Sequence, residues 1–389
     1  MRSIRPLLAA AGLAAALSLT ATACGPAEEK AAGGPTASTS AGDTAGDALP
    51  GDLADKLREH GVDPDTWKDG AWKNWNKDKW LREAKDFVNP MIEGLWKPER
   101  MKDAKSPRKT MASGDINGDR GVTDPEPQPV RAQREKNPYT QHGAPIGKVF
   151  FDAPQGTMVC SATVIKDPKA PGRSNLVWTA GHCVHAGQEG GWYRNIAFVP
   201  AYNDLGKSAA QLDDAKPEEI APYGVFWADW VSTSGEWISQ GGPTGGGGAP
   251  YDYAVMHVRP EKGTKSLEET VGVALDVDFA APEAKDIPAM GAWGYPAAPP
   301  YDGLIMHKCV DRPGRLSVSP GTPTMWRIGC TMTGGSSGGG WFARQPNGKL
   351  ALVSNTSIGP VTAGWLAGPR LGEGAEAIYT AMSDKFARR

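Results

Sequence analysis

Gly335-Ser336-Ser337-Gly338-Gly339 decides how this chain of 389 residues is read. The stretch matches G-x-S-G-G, in which glycines let the backbone turn tightly around a presented serine hydroxyl. Alone, a Gly/Ser cluster is a common linker. Two other stretches supply what a serine needs to react. Thr179-Ala180-Gly181-His182-Cys183 offers an imidazole behind an apolar run, and Tyr251-Asp252-Tyr253-Ala254-Val255 offers a carboxylate at the head of another. A serine hydroxyl is a weak nucleophile at neutral pH and needs an adjacent base. In this reading Ser337 attacks a carbonyl carbon. His182 takes the serine proton and hands it to the leaving group, while Asp252 fixes the imidazole tautomer. The N–H groups of Gly335 and Ser337 form an oxyanion hole, each donor being worth about 3–4 kcal/mol.

Taken singly, His182 also reads as a core histidine, Asp252 as a turn carboxylate and Ser337 as loop filler. The order His, Asp, Ser, with each residue in its own local frame, is what joins them. The chain resembles the chymotrypsin-like (trypsin-like) serine peptidases on TAGHC at 179–183, DYAV at 252–255 and GSSGG at 335–339. Ile146-Gly147-Lys148 adds a likeness to the bacterial glutamyl-endopeptidase-like branch. The resemblance spans residues 141–389. It implies an all-β fold of two six-stranded antiparallel barrels closed by a C-terminal helix over 374–387. His182 and Asp252 then come from the first barrel and Ser337 from the second.

The same resemblance implies a disulfide between Cys160 and Cys183 that clamps the histidine loop, with Cys309 and Cys330 as the second pair. A loop of that second size is worth roughly 3 kcal/mol. It also implies that the substrate backbone adds itself to Val353-Ser354-Asn355-Thr356. Ser354 is then expected near Asp252 and the pocket for the residue before the scissile bond (P1). Thr331 holds the pocket-base position, six before the serine, and no histidine occurs between Leu350 and Ile358. Neither a basic nor an acidic P1 residue is indicated, which leaves a neutral, small or apolar one. Ser336 stands where many relatives carry an aspartate that pairs with a new N-terminal amine, so maturation by that ion pair is not expected.

Sequence patterning runs with these motifs. Gly-rich (49) and Pro-rich (33) composition suits short strands and turns. Expected strands are 146–151, 158–165, 176–180, 195–202, 223–231, 252–258, 289–295, 304–310, 324–330, 340–344 and 350–356. The glycine run at 241–248 reads as a flexible surface loop. His185, Trp192, His257 and His307 read as packing residues. The formal net charge of -2 implies no nucleic-acid partner. Without a Cys/His/Asp cluster at ligand spacing, no catalytic metal and no cofactor are expected. The partner expected is a protein or peptide substrate, acted on by a monomer.

The N-terminal third is organised differently. Arg2 and Arg5 precede the apolar run Leu7 to Leu19, which reads as a signal peptide over 1–23. Ala21-Thr22-Ala23 fits ordinary cleavage and secretion. With Cys24-Gly25 it also resembles a lipobox, although Ala21 replaces the usual leucine. Five cysteines leave one odd, and Cys24 as a lipid anchor absorbs it; a free thiol is the other reading. The expected location is extracellular, either free or held at the membrane by lipid on Cys24. Residues 24–50 read as a disordered tether. Residues 51–104 space Trp67, Trp72, Trp75, Trp80 and Trp96 among charges, as a helical subdomain or a prosegment that covers the cleft. Residues 105–140 read as a Pro-rich linker exposed to proteolysis. Within it Asp115, Asn117, Asp119, Val122 and Glu126 resemble an EF-hand calcium loop, but Arg120 sits at the sharp-turn position, and an acidic linker turn is the plainer reading. A catalytically silent binding module on the same fold, or an esterase, are the rival functions.

Overall fold

The computed structural model describes residues 91–107, 110–112, 116, 122–243 and 245–387. The signal peptide, Cys24, the tether, residues 51–90, and Asp115, Asn117 and Asp119 lie outside the described residues. The first half of the body is a closed six-stranded barrel. Its strands are β1 (Ile146–Ala153), β2 (Gly156–Ile165), β3 (Leu176–Thr179), β4 (Arg194–Pro200), β5 (Phe226–Thr233) and β6 (Ala254–Pro260), in the order β1-β2-β3-β6-β5-β4. Every neighbouring pair is antiparallel.

Alternation along these strands explains the packing. Val149, Phe151, Cys160, Ala162, Val164, Phe198 and Met256 share one core, inside the barrel. The residues between them, such as Phe150, Val159, Trp178, Val199 and Val255, join a second core. That core also contains Tyr295, Met306, Phe342 and Leu352 from the second half. Both faces of β1 are therefore buried, which is why its sequence is almost continuously apolar.

The second half holds β7 (Met290–Gly294), β8 (His307–Asp311), β9 (Met325–Cys330), β10 (Gly340–Arg344), β11 (Leu350–Asn355) and β12 (Gly364–Gly368). Among the described residues its strands pair as two sheets, not as one closed six-stranded barrel. A six-stranded sheet runs Gln133–Arg134, β8, β7, β10, β11, Asp276–Val277, and a separate sheet runs Gly314–Leu316, β9, β12. The pairing is not wholly antiparallel, because Asp276–Val277 joins β11 in parallel. The two sheets enclose Met290, Ala292, Trp326, Ile328, Trp341 and Val353. Disulfides join Cys160 to Cys183 and Cys309 to Cys330. Near the chain's end, α2 (Glu373–Phe386), so numbered because Pro98–Asp103 is α1, sets Phe386 flat against His257.

Two expectations need correction. The stretch 105–140 is woven into the body where it is described. Lys105 exchanges backbone hydrogen bonds with Thr157 and Val159, Gln133–Arg134 pairs with β8, and Asp124 grips Arg315 at 2.8 Å. The backbone there is held by edge pairing and an ion pair even though many of its side chains are exposed. The glycine run is a packing device, not a loose loop. A Cβ at Gly248 would meet Gly241 N at 2.5 Å, and one at Gly187 would meet Gly241 O at 2.3 Å. Only side chains of hydrogen let these turns nest beside the histidine loop.

Candidate active site

His182 sits on the short turn Gly181–Cys183 that follows β3 and is tied to β2 through Cys183. The turn lies tight against its surroundings: a Cβ at Gly181 would come within 2.6 Å of Thr233 Oγ1 and 2.8 Å of Trp237. Asp252 stands between the turn Gly246–Tyr251 and β6, fully buried. Its Oδ1 accepts from His182 N at 2.8 Å, and its Oδ2 lies 2.7 Å from His182 Nδ1. Ser357 Oγ donates to the same Oδ2 at 2.5 Å. Asn355 Nδ2 donates to the Asp252 carbonyl at 2.9 Å, while its Oδ1 accepts from Trp178 Nε1 at 3.0 Å. A carboxylate needs donors, so this arrangement places the imidazole proton on Nδ1 and leaves Nε2 with the basic lone pair.

Ser337 reaches the same place from the second half, on the loop between β9 and β10. Gly338 makes the approach possible. Its φ is +76°, and a Cβ there would meet Thr179 Oγ1 at 2.2 Å and Ala180 N at 2.9 Å, just ahead of His182. Gly338 N donates to Thr356 O at 2.7 Å, and Ser161 N donates to Ser337 O at 2.7 Å. Among the described residues, the Ser337 hydroxyl has no hydrogen-bond partner. The same holds for the N–H groups of Gly335 and Ser337. The carbonyls ahead of those two amides are engaged elsewhere: Gly334 O accepts from Ala297 N at 2.6 Å, and Ser336 O accepts from Gly339 N at 3.0 Å. Ser336 closes a local turn instead of an ion pair, its Oγ donating to Thr333 O at 2.7 Å.

Beside Ser337 lies a cavity of about 180 Å³ whose walls include Met332, Thr333, Gly334, Thr356, Ala298 and Pro299. No charged side chain among the described residues lines it. Ser106, Pro107 and Thr110 form another part of its wall. Thr110 and Met111 pair in parallel with Gly359 and Pro360, at the cavity's edge.

The expected substrate residues divide. Thr356 lines the cavity, and its Oγ1 accepts from Trp341 Nε1 at 2.8 Å. Asn355 braces Asp252 and lies outside the cavity wall. Ser354 is turned away, donating to Pro369 O at 2.7 Å; Ser357, three residues on, holds Asp252. The reason is the hairpin: β10 and β11 pair from Arg344↔Leu350 to Gly340↔Asn355 with a register shift at Trp341/Phe342, so Asp252 is met beyond the strand's end. No local signal separates the two serines. Thr331 is likewise displaced, bonding Val130 O through its N–H and accepting from Ala132 N at 2.9 Å. Its neighbours Met332 and Thr333 face the cavity instead. His185 accepts from Gly187 N at 3.0 Å, and burial pushes its pKa down to about 4, so it remains neutral packing. Cys160, His182 and Cys183 cluster tightly, but the two sulfurs are consumed by the disulfide.

No protein-family profile matches the chain, and no curated protein matches it. Solved structures do. The thermostable serine protease AL20 from an extremophilic microorganism is 34% identical, with 62% of this chain and 97% of that one covered and a TM-score of 0.49. Protease Anisep from Arthrobacter nicotinovorans is 28% identical, with 64% and 99% covered and a TM-score of 0.50. A Glu endopeptidase in complex with MPD is 15% identical, with 68% and 100% covered and a TM-score of 0.46, too distant to bear on specificity.

Proposed function

Because the chain belongs to the chymotrypsin-like serine peptidases, with 34% identity along nearly all of AL20, we propose that it is an endopeptidase working through an acyl-enzyme on Ser337. The observation that carries this is the buried Asp252 carboxylate gripped by His182 N, His182 Nδ1 and Ser357 Oγ. Ser337 Oγ adds to the substrate carbonyl carbon as its proton passes to His182 Nε2. The developing imidazolium is stabilised by Asp252. The oxyanion takes the amides of Gly335 and Ser337, which have no other acceptor among the described residues. His182 then protonates the leaving amine, and water repeats the sequence to release the acid. The hydrogen bond from Ser337 to His182 closes when substrate arrives, as such bonds tighten in the bound state.

The small cavity, lined by no charged side chain among the described residues, suits a neutral P1 side chain. Ser106, Pro107 and Thr110 stand in the cavity wall, and Thr110–Met111 pairs with Gly359–Pro360, an edge that an extended substrate needs, so these residues cover part of the cleft. The enzyme is exported, in keeping with two disulfides, and Cys24 is its lipid attachment. Digestion of a peptide library by wild type and Ser337→Ala tests the reading. Cleavage after neutral residues, lost in the variant, is expected. Cleavage clustered after Glu, Lys or Arg would sink the pocket assignment, and turnover of esters without amides would favour the esterase.

A further inference from the structure

Ser161 on β2 sits at the junction of the barrel and the serine loop, with no exposed surface. Each of its polar groups is committed. Its N–H donates to Ser337 O at 2.7 Å. Its carbonyl accepts from Thr179 Oγ1 at 2.9 Å. Its hydroxyl donates to Gly335 O at 2.9 Å and accepts from Tyr295 N at 2.9 Å. The Tyr295 amide has its proton to give, so it fixes the direction of the hydroxyl: the single O–H must point at Gly335 O.

The consequence follows from peptide planarity. The amides that face the developing oxyanion belong to Gly335 and Ser337. The Gly335–Ser336 peptide joins their planes, and Gly335 holds φ at +98°, a conformation that glycine enters and leaves easily. Three carbonyls in this loop must be pinned for both amides to converge. Gly334 O is pinned by Ala297 N and Ser336 O by Gly339 N. Gly335 O, the one between them, is pinned by the Ser161 hydroxyl. Ser336 contributes a bond to Thr333 and no charge, so it offers the loop no ion pair.

We propose that Ser161 is a positioning residue for the oxyanion hole: its hydroxyl holds the Gly335 carbonyl, and its amide holds the Ser337 carbonyl, so that the hole is assembled without a newly cut N-terminus. The proposal rests on the Ser337 reading given above. The loop is built from the barrel side through β2, the strand that also carries the disulfide to the histidine turn. One short segment, Cys160-Ser161, therefore sets both the base and the anion site.

The test is steady-state kinetics of the full-length chain with Ser161→Ala, using a peptide substrate found in the library digest. kcat is expected to fall about 10- to 100-fold, with KM within about threefold, because the interaction is made in the transition state. A peptidyl trifluoromethyl ketone, which mimics the tetrahedral adduct, should lose affinity by the same factor. Ser161→Thr keeps the hydroxyl and should recover most of kcat; Ser161→Val, of threonine's shape, should not. The Thr/Val pair carries the test if the alanine variant does not fold. Unchanged kcat in folded Ser161→Ala, a loss confined to KM, or equal activity of the Thr and Val variants would overturn the proposal. These outcomes presuppose an active wild type. A wild type that turns over nothing and takes no phosphonate label, before or after limited proteolysis of the covering segment, would instead remove the Ser337 reading itself.

Discussion

Lys148 gives the account a quantitative handle. The side chain lies on the face of β1 that packs against the second half, only 2% exposed. Its Nζ donates to Gly303 O at 2.9 Å and stands 4.6 Å from the Tyr202 ring and 5.1 Å from that of Phe150. Burial lowers its pKa to about 7 from 10.5, with the Asp302 charge working weakly the other way. The folded state thus binds fewer protons than the unfolded chain between about pH 7 and 10.5. The penalty is present in full below pH 7 and is relieved as pH rises through that window, so stability rises with pH. The whole shift corresponds to about 5 kcal/mol, of which roughly 3 kcal/mol is recovered by about pH 9. Lys148→Met removes the titration and keeps the volume. Urea unfolding of both proteins, at about pH 6, 7, 8 and 9, isolates the lysine because other titrating groups are common to both. Wild-type stability relative to the variant should be flat up to about pH 7 and climb thereafter. A difference that stays flat to pH 9, or that falls, would refute a buried lysine held near neutrality.

Two further outcomes follow from single contacts. Ser357→Ala removes the 2.5 Å bond to Asp252 while the two bonds to His182 remain; kcat should fall about 10-fold with KM little changed, read by steady-state kinetics. Replacing both Cys309 and Cys330 by serine opens a loop of 21 residues' separation, which should cost about 3 kcal/mol in urea unfolding and leave turnover per folded molecule unchanged. The equivalent change at Cys160 and Cys183 should lower turnover as well, because Cys183 is the neighbour of His182.

The strands were legible because alternation and Gly/Pro breaks are local. β10 was read to the residue, and β1, β2, β9 and β11 within a few residues of their ends. The long helix was legible for the same reason. Sheet closure was not, because which strand pairs with which is decided over long separations; Gln133–Arg134 and Asp276–Val277 were too short to leave a pattern. At the site the motifs are local: His182 and Ser337 each sit in a glycine-bearing turn, and Asp252 stands at the head of an apolar strand. Ser357 and Ser161 belong to no motif. Ser161 stands in apolar, strand-forming sequence and Ser357 at the end of the polar run 354–357, and their roles come from register: Ser357 by lying just past the end of β11, Ser161 by facing Gly335 and Tyr295 across the junction. The glycine run misled for a related reason. Composition suggested freedom, while the close approach of Gly241 to Gly187 and Gly248 requires the absence of side chains.

The most direct measurement is fluorophosphonate labelling of the purified full-length chain followed by peptide mapping, with Ser337→Ala and His182→Ala beside it. The account predicts a single adduct on Ser337, absent from the first variant and strongly slowed in the second. A folded wild type that takes no label either as the full chain or after limited proteolysis of the covering segment, or one labelled elsewhere and undiminished in Ser337→Ala, would contradict an activated Ser337.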